Sequence, residues 1–208
     1  AKSVALLGTL AALLAALRPL GAGAVGLEPM WFLLILAARV FGAAFGFLLG
    51  VLGMLASALL TGGFGPWLAY QLFAAGLIGL FAGSFPKRFR GRTEIAILVF
   101  IAVVSSLLFG LLMDLQFWPW TLGVDTQLSY QAGAPMAENL DRFFSYHFLS
   151  AMAWDVPRAI FTSSLILITG KPILHTLRRA HTRAAFCTPI EFVQSQASER
   201  AKEEKAAQ

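Results

Sequence analysis

The chain has 208 residues, of which 58% are hydrophobic, with 19 Gly besides and only 13% charged. A soluble domain carries about a quarter charged residues, so this composition, with a mean hydropathy of +0.72, excludes a cytosolic enzyme and a disordered chain. The single Cys187 excludes a disulfide scaffold. A formal net charge of +5 would suggest nucleic acid as a partner of a soluble protein; in a membrane protein the placement of charge matters more, and no nucleic-acid partner is expected.

Long apolar runs without the alternation of barrel strands predict an all-α, polytopic membrane protein. Crossing the hydrocarbon takes about 20 residues, and six spans are expected, at residues 3–17, 29–40, 43–60, 67–85, 95–117 and 143–169. The second is short and reads on through FGAAFG, where Gly42 and Gly46 supply a turn. TGGFGP and PKRFRGR bound the fourth, and GKP ends the sixth. With the N-terminus inside, ten Lys and Arg fall on the cytoplasmic side and two, Arg18 and Arg142, fall outside. An even span count then places both termini in the cytoplasm of a plasma-membrane protein. Lys2, the first apolar run and GAGA also have the order of a secretory leader, but removing them leaves five spans with split basic loops. Residues 1–183 are thus expected to form a six-helix transmembrane domain, and residues 184–208, ending SERAKEEKAAQ, a polar cytoplasmic tail.

Residues able to do chemistry are few. No HExxH, GxSxG, DxxD or GxxxxGKS run occurs, and His147 stands apart from His175 and His181. No catalytic residue, metal site or cofactor is expected. Charges inside spans cost roughly 2.5–3.5 kcal/mol at a helix centre and therefore face a bundle interior or a wet cavity. Asp155 and Arg158, three apart in AMAWDVPRAI, share a helix face. They either neutralise each other or line a solute cavity beside Trp154. Asp114 is either an interfacial acid or a cavity acceptor.

The outer connections, 18–29, 61–67 and 118–141, gather the features able to meet a solute. Trp31, Trp67, Trp118 and Trp120 sit at span ends, the usual place for Trp. Beside Gln71, Asn139 and the Gly-rich 61–67 loop, they also suit an apolar pocket with a few polar groups, which a ring-bearing ligand would fill by stacking. In the first span, AALLAAL sets Ala11 with Ala15 and Ala12 with Ala16 at i, i+4, a spacing that lets another helix approach closely.

The run LAARVFGAAFGFLLGVLGMLASALLTGGFGPWLAYQLFAAGLIGLFAG, the FWPW end of the fifth span and AWDVPRAI in the sixth resemble the substrate-binding S components of energy-coupling factor (ECF) transporters, over residues 1–183. The resemblance implies a vitamin-binding subunit that captures its ligand at the outer face. It would then join a transmembrane T component and two cytoplasmic ATPases, and tilt in the lipid to release cargo inside. It implies ligand contacts at Leu27 and Glu28, at Gly63, Gly65 and Trp67, at Gln71, at Trp118 and Trp120, at Asn139 and, deeper, at Trp154 and Asp155. It also implies docking of the T component on Ala11, Ala12, Ala15 and Ala16. The branch resembled has cobalamin among its substrates, so cobalamin or a related corrinoid is the expected solute, although no His is placed to ligate its cobalt. The rival function is a membrane-embedded enzyme acting on a lipid or isoprenoid, with Asp114 or Asp155 as acid or metal ligand.

Overall fold

The computed structural model describes residues 2–21, 24–121 and 126–183; the expected tail lies outside them. Among the described residues there is no strand. The helices are α1 (Lys2–Leu17), α2 (Met30–Phe41), α3 (Ala43–Thr61), α4 (Leu68–Ser84), α5 (Gly91–Thr121), α6 (Met136–Ser150) and α7 (Met152–Arg183), with a 3-10 turn, Arg18–Gly21, after α1. Four stretches, Ser3–Gly21, Ala43–Thr61, Gly91–Trp120 and Met152–Arg183, are long and apolar enough to cross a membrane, while α2 and α4 are apolar but shorter. The chain is therefore an all-helical, multi-pass membrane protein.

The bundle is built round α2. Met30, Trp31 and residues 33–40 are all buried, as a helix apolar on every side requires, and α1, α3, α4, α5 and α7 all pack on it. α3 packs on α4 along a glycine seam in which Gly46 meets Gly79 and Gly50 meets Ala75. At Gly46 and Gly79 a side chain on either residue would strike the other's backbone carbonyl, so the two helices approach as closely as their main chains allow. Gly53 faces Leu14 of α1, and the whole track serves internal packing.

Contacts at the two ends give the direction of each helix. At one end Arg39 of α2 bonds to Glu94 of α5 and to the carbonyls of Phe85 and Phe89, and Arg178 of α7 bonds to Glu94 as well. At the other, Arg18 reaches Gln71, and Arg158 reaches Glu28. Hence α1, α3 and α5 run one way and α2, α4 and α7 the other.

Three expected boundaries are corrected. The turn between the second and third spans is at Gly42 alone; Gly46 already donates to the Gly42 carbonyl inside α3. GKP does not end the last helix, which runs through Pro172 to Arg183, because a single proline removes only one backbone donor. Nor is the stretch 143–169 one element: the chain breaks at Ala151, and the residues before it belong to the separate α6. That helix is amphipathic, with Asn139 and Phe143 buried and Phe144, Phe148 and Leu149 exposed. The 118–141 connection is correspondingly shorter, since α5 carries FWPW to Thr121 and α6 begins at Met136.

Candidate binding site

A cavity of about 260 Å³ opens at the Glu28 end, walled by the 3-10 turn, the loop before α2, the end of α3 and the starts of α4 and α7. Arg18, Glu28, Thr61, Gly63, Trp67 and Trp154 supply its side chains and loop edges. The loop before α2 reaches α7 at Gly26, whose φ of 71° and contact with the Trp154 carbonyl and Arg158 nitrogen exclude a side chain there. That contact brings Glu28 against α7.

Glu28 is the hub of the polar wall. Trp31 Nε1 donates to its Oε2 at 2.7 Å and Arg158 Nε donates to the same oxygen at 3.4 Å. Arg18 Nε stands 3.8 Å from Oε1. Arg158 also donates to Asp155 Oδ1 at 2.7 Å and to the Ser106 carbonyl at 3.4 Å. Its guanidinium lies 4.9 Å from the centroid of the Phe109 ring, which packs on Trp31 at 4.7 Å. Arg18 extends the network to Gln71 Oε1 at 3.3 Å and Ser57 Oγ at 3.5 Å. Two arginines thus face two carboxylates, and the wall presents hydrogen-bonding groups with no formal charge in excess.

The expected ligand contacts divide by position. Glu28, Gly63, Trp67 and Trp154 line the cavity together. Gly65 lies against the Trp67 ring, and Gln71 stands behind the wall on Arg18. Asp155 is fully buried under Arg158, with Gly110 of α5 pressed against its carboxylate. The other three flank the connection after α5, Trp118 and Trp120 in the last turns of α5 and Asn139 in the first turn of α6. Trp118 is buried and donates to the Leu128 carbonyl at 2.7 Å, with Tyr130 and Phe143 edge-on to its ring. Asn139 clamps the Gln131 backbone in both directions, at 2.9 and 2.8 Å. Trp120 is 82% exposed and outside the lining.

Arg18 is the contributor that sequence reasoning did not assign to a ligand site; Arg158 and Trp31, both weighed there as pocket candidates, hold Glu28 from behind the lining. Arg158 was legible as the partner of Asp155, but nothing local announces its contact with Glu28, 130 residues away. In α1, Ala11 and Ala15 are buried within the chain, whereas Ala12 and Ala16 are exposed.

Asp114 Oδ2 accepts from His147 Nδ1 at 2.9 Å and from Ser150 Oγ at 3.1 Å, tying α5 to α6. Serine and histidine both bond the acid and not each other, so no base is set to activate the serine. Among the described residues no three His, Cys, Asp or Glu side chains converge on a metal position.

The family described as ECF-type riboflavin transporter, S component, matches residues 1–179. No curated protein and no solved structure matches the chain. The match supports the S-component resemblance but not its cobalamin branch. With a helical bundle and a cavity walled by Glu28 and two tryptophans, the chain matched over residues 1–179 belongs to the ECF-type riboflavin transporter S-component family, substrate-binding membrane subunits for vitamin uptake and not enzymes.

Proposed function

We propose that this subunit captures riboflavin, or a flavin close to it, in the cavity at Glu28. It passes the vitamin inward in complex with a transmembrane T component and two cytoplasmic ATPases. The observation that carries the reading is the cavity itself: two indole faces, Trp67 and Trp154, stand beside a charge-balanced wall in which Arg18 and Arg158 face Glu28 and Asp155. A flat tricyclic ring stacks on indoles, and its polar edge and ribityl chain accept hydrogen bonds from arginine and donate them to carboxylate without bringing charge. The volume of about 260 Å³ lies just below the range of ordinary small-molecule pockets, about 300–1,000 Å³. That size argues against a corrinoid, which is several times bulkier than a flavin.

In this reading the chain crosses the plasma membrane six times, through α1 to α5 and α7, with the Glu94 end and both termini in the cytoplasm. Glu28 then faces outward. The excess of Lys and Arg at the Glu94 end supports this sidedness. The exposed Ala12 and Ala16 offer the T component a close-packing surface on α1, while Ala11 and Ala15 serve the internal packing of α1.

Titrating riboflavin into purified protein and following quenching of its fluorescence tests the reading. Saturable, equimolar quenching is expected, and cobalamin should not displace the flavin. Trp67→Ala should weaken binding by between about twofold and tenfold, the worth of one aromatic contact. Absence of saturable quenching refutes the flavin reading, and displacement by cobalamin restores the corrinoid.

A further inference from the structure

We propose that a second pocket, at the Glu94 end, binds a phosphate-bearing anion of the kind an acidic phospholipid headgroup presents. It is separate from the Glu28 cavity and does not depend on the identity of the vitamin. The pocket encloses about 280 Å³ where the ends of α2, α5 and α7 meet the 85–90 loop, and Arg39, Lys87, Arg90, Glu94, Arg178 and Thr182 line it. Four cations surround one carboxylate.

The site is built, not a chance meeting of surface charges. The Arg39 and Glu94 side chains are only 2% and 3% exposed. Arg39 has all of its nitrogens engaged: Nε donates to Glu94 at 2.9 Å, Nη1 to the Phe85 carbonyl at 2.8 Å and Nη2 to the Phe89 carbonyl at 3.1 Å. Those last two bonds pin the loop that carries Lys87 and Arg90. Arg178 Nη2 bonds both oxygens of Glu94, at 2.6 and 2.8 Å, so the single negative charge of the carboxylate is already shared between two guanidinium groups. Lys87 reaches only the Val40 carbonyl, at 3.5 Å, and among the described residues neither Lys87 nor Arg90 makes an ion pair.

An uncompensated positive concavity at helix ends lies at the depth of the headgroups. Guanidinium and ammonium groups converging there suit a phosphate oxygen cluster, and basic pockets between transmembrane helices are a recurrent way of holding acidic lipids.

The test uses two paired variants of the full chain. Lys87→Gln/Arg90→Gln removes the two unpaired cations that line the pocket; Arg88→Gln/Arg92→Gln removes the same charge from neighbouring positions outside it. All four residues are exposed, and Glu94 keeps both arginines, so folding is retained. Native mass spectrometry of detergent-solubilised protein titrated with phosphatidylglycerol should show a retained lipid in the parent, with phosphatidylcholine far weaker. The first pair should lower that affinity about tenfold or more, and the second should leave it unchanged. Stabilisation by inorganic phosphate, with the two lipids equivalent, would assign the same pocket to a free phosphate. Equal losses in both pairs, or a parent indifferent to phosphatidylglycerol and to phosphate, overturns the proposal. Riboflavin quenching in both pairs should match the parent, which separates this outcome from the fate of the flavin reading.

Discussion

Glu94 takes hydrogen bonds from arginines 55 and 84 residues distant, on two other helices. Neutralising it strands Arg39, whose side chain is 2% exposed, and removing one partner of a buried pair costs about 3–5 kcal/mol. Glu94→Gln should therefore lower the melting temperature of the purified chain sharply, and an unchanged melt would show that water reaches this cluster. The sequence was nearly silent on the point: Arg39 counts only among the cytoplasmic basic residues, and PKRFRGR reads as the boundary of the fourth span. By contrast, the Asp155–Arg158 pair was legible because i, i+3 on a helix is a local rule. Glu28 was legible only through family resemblance. What no local rule supplies is the meeting of Arg18, Glu28 and Arg158, set by a loop that turns back onto α7 at Gly26.

Helix pairs are held by different means, and their variants should fail differently. Between α3 and α4 the contact is backbone on backbone, so Gly79→Leu has no side chain to displace and must push the helices apart, at about 1–3 kcal/mol or more. Gly8→Leu, with nothing within 4 Å of its added Cβ, should leave the melt unaltered; equal effects from the two would contradict the seam. α6 is held to α5 through Asp114, His147 and Ser150. Asp114→Asn should accelerate amide exchange across α6 while α2 and α5 keep their protection. Gly42 was readable as a break, whereas the packing of Gly46 and Gly50 on α4 was not. α6 was not, because FFSYHFLSAMAW runs apolar across Ala151 without a glycine or proline to mark the break.

For the molecule as a whole, the alternation of helix direction leaves sidedness as the main testable property. Replacing Cys187, the only cysteine, by serine gives a background for single-site labelling. Tyr130→Cys, at an exposed position, should react with an impermeant maleimide on intact cells, and Arg92→Cys only after permeabilisation; the reverse pattern inverts the assignment. The multi-pass helical class was legible from composition alone, since hydrocarbon tolerates few architectures. The ligand was not, because size and charge balance of a cavity arise only once distant loops are assembled.

The enclosure of α2 bears on how the protein is made. Twelve residues rise only about 18 Å against a hydrocarbon thickness of about 30 Å, and the segment ends in Arg39. Emerging from the ribosome after α1, it cannot hold alone in the bilayer and must enter as a hairpin with α3, folded back at Gly42. Its remaining neighbours, α5 and α7, are synthesised later, and Arg178 reaches Glu94 only once α7 has emerged. Biogenesis therefore leaves the central rod unfinished until α7 arrives, which makes chains truncated before α7 targets for membrane quality control.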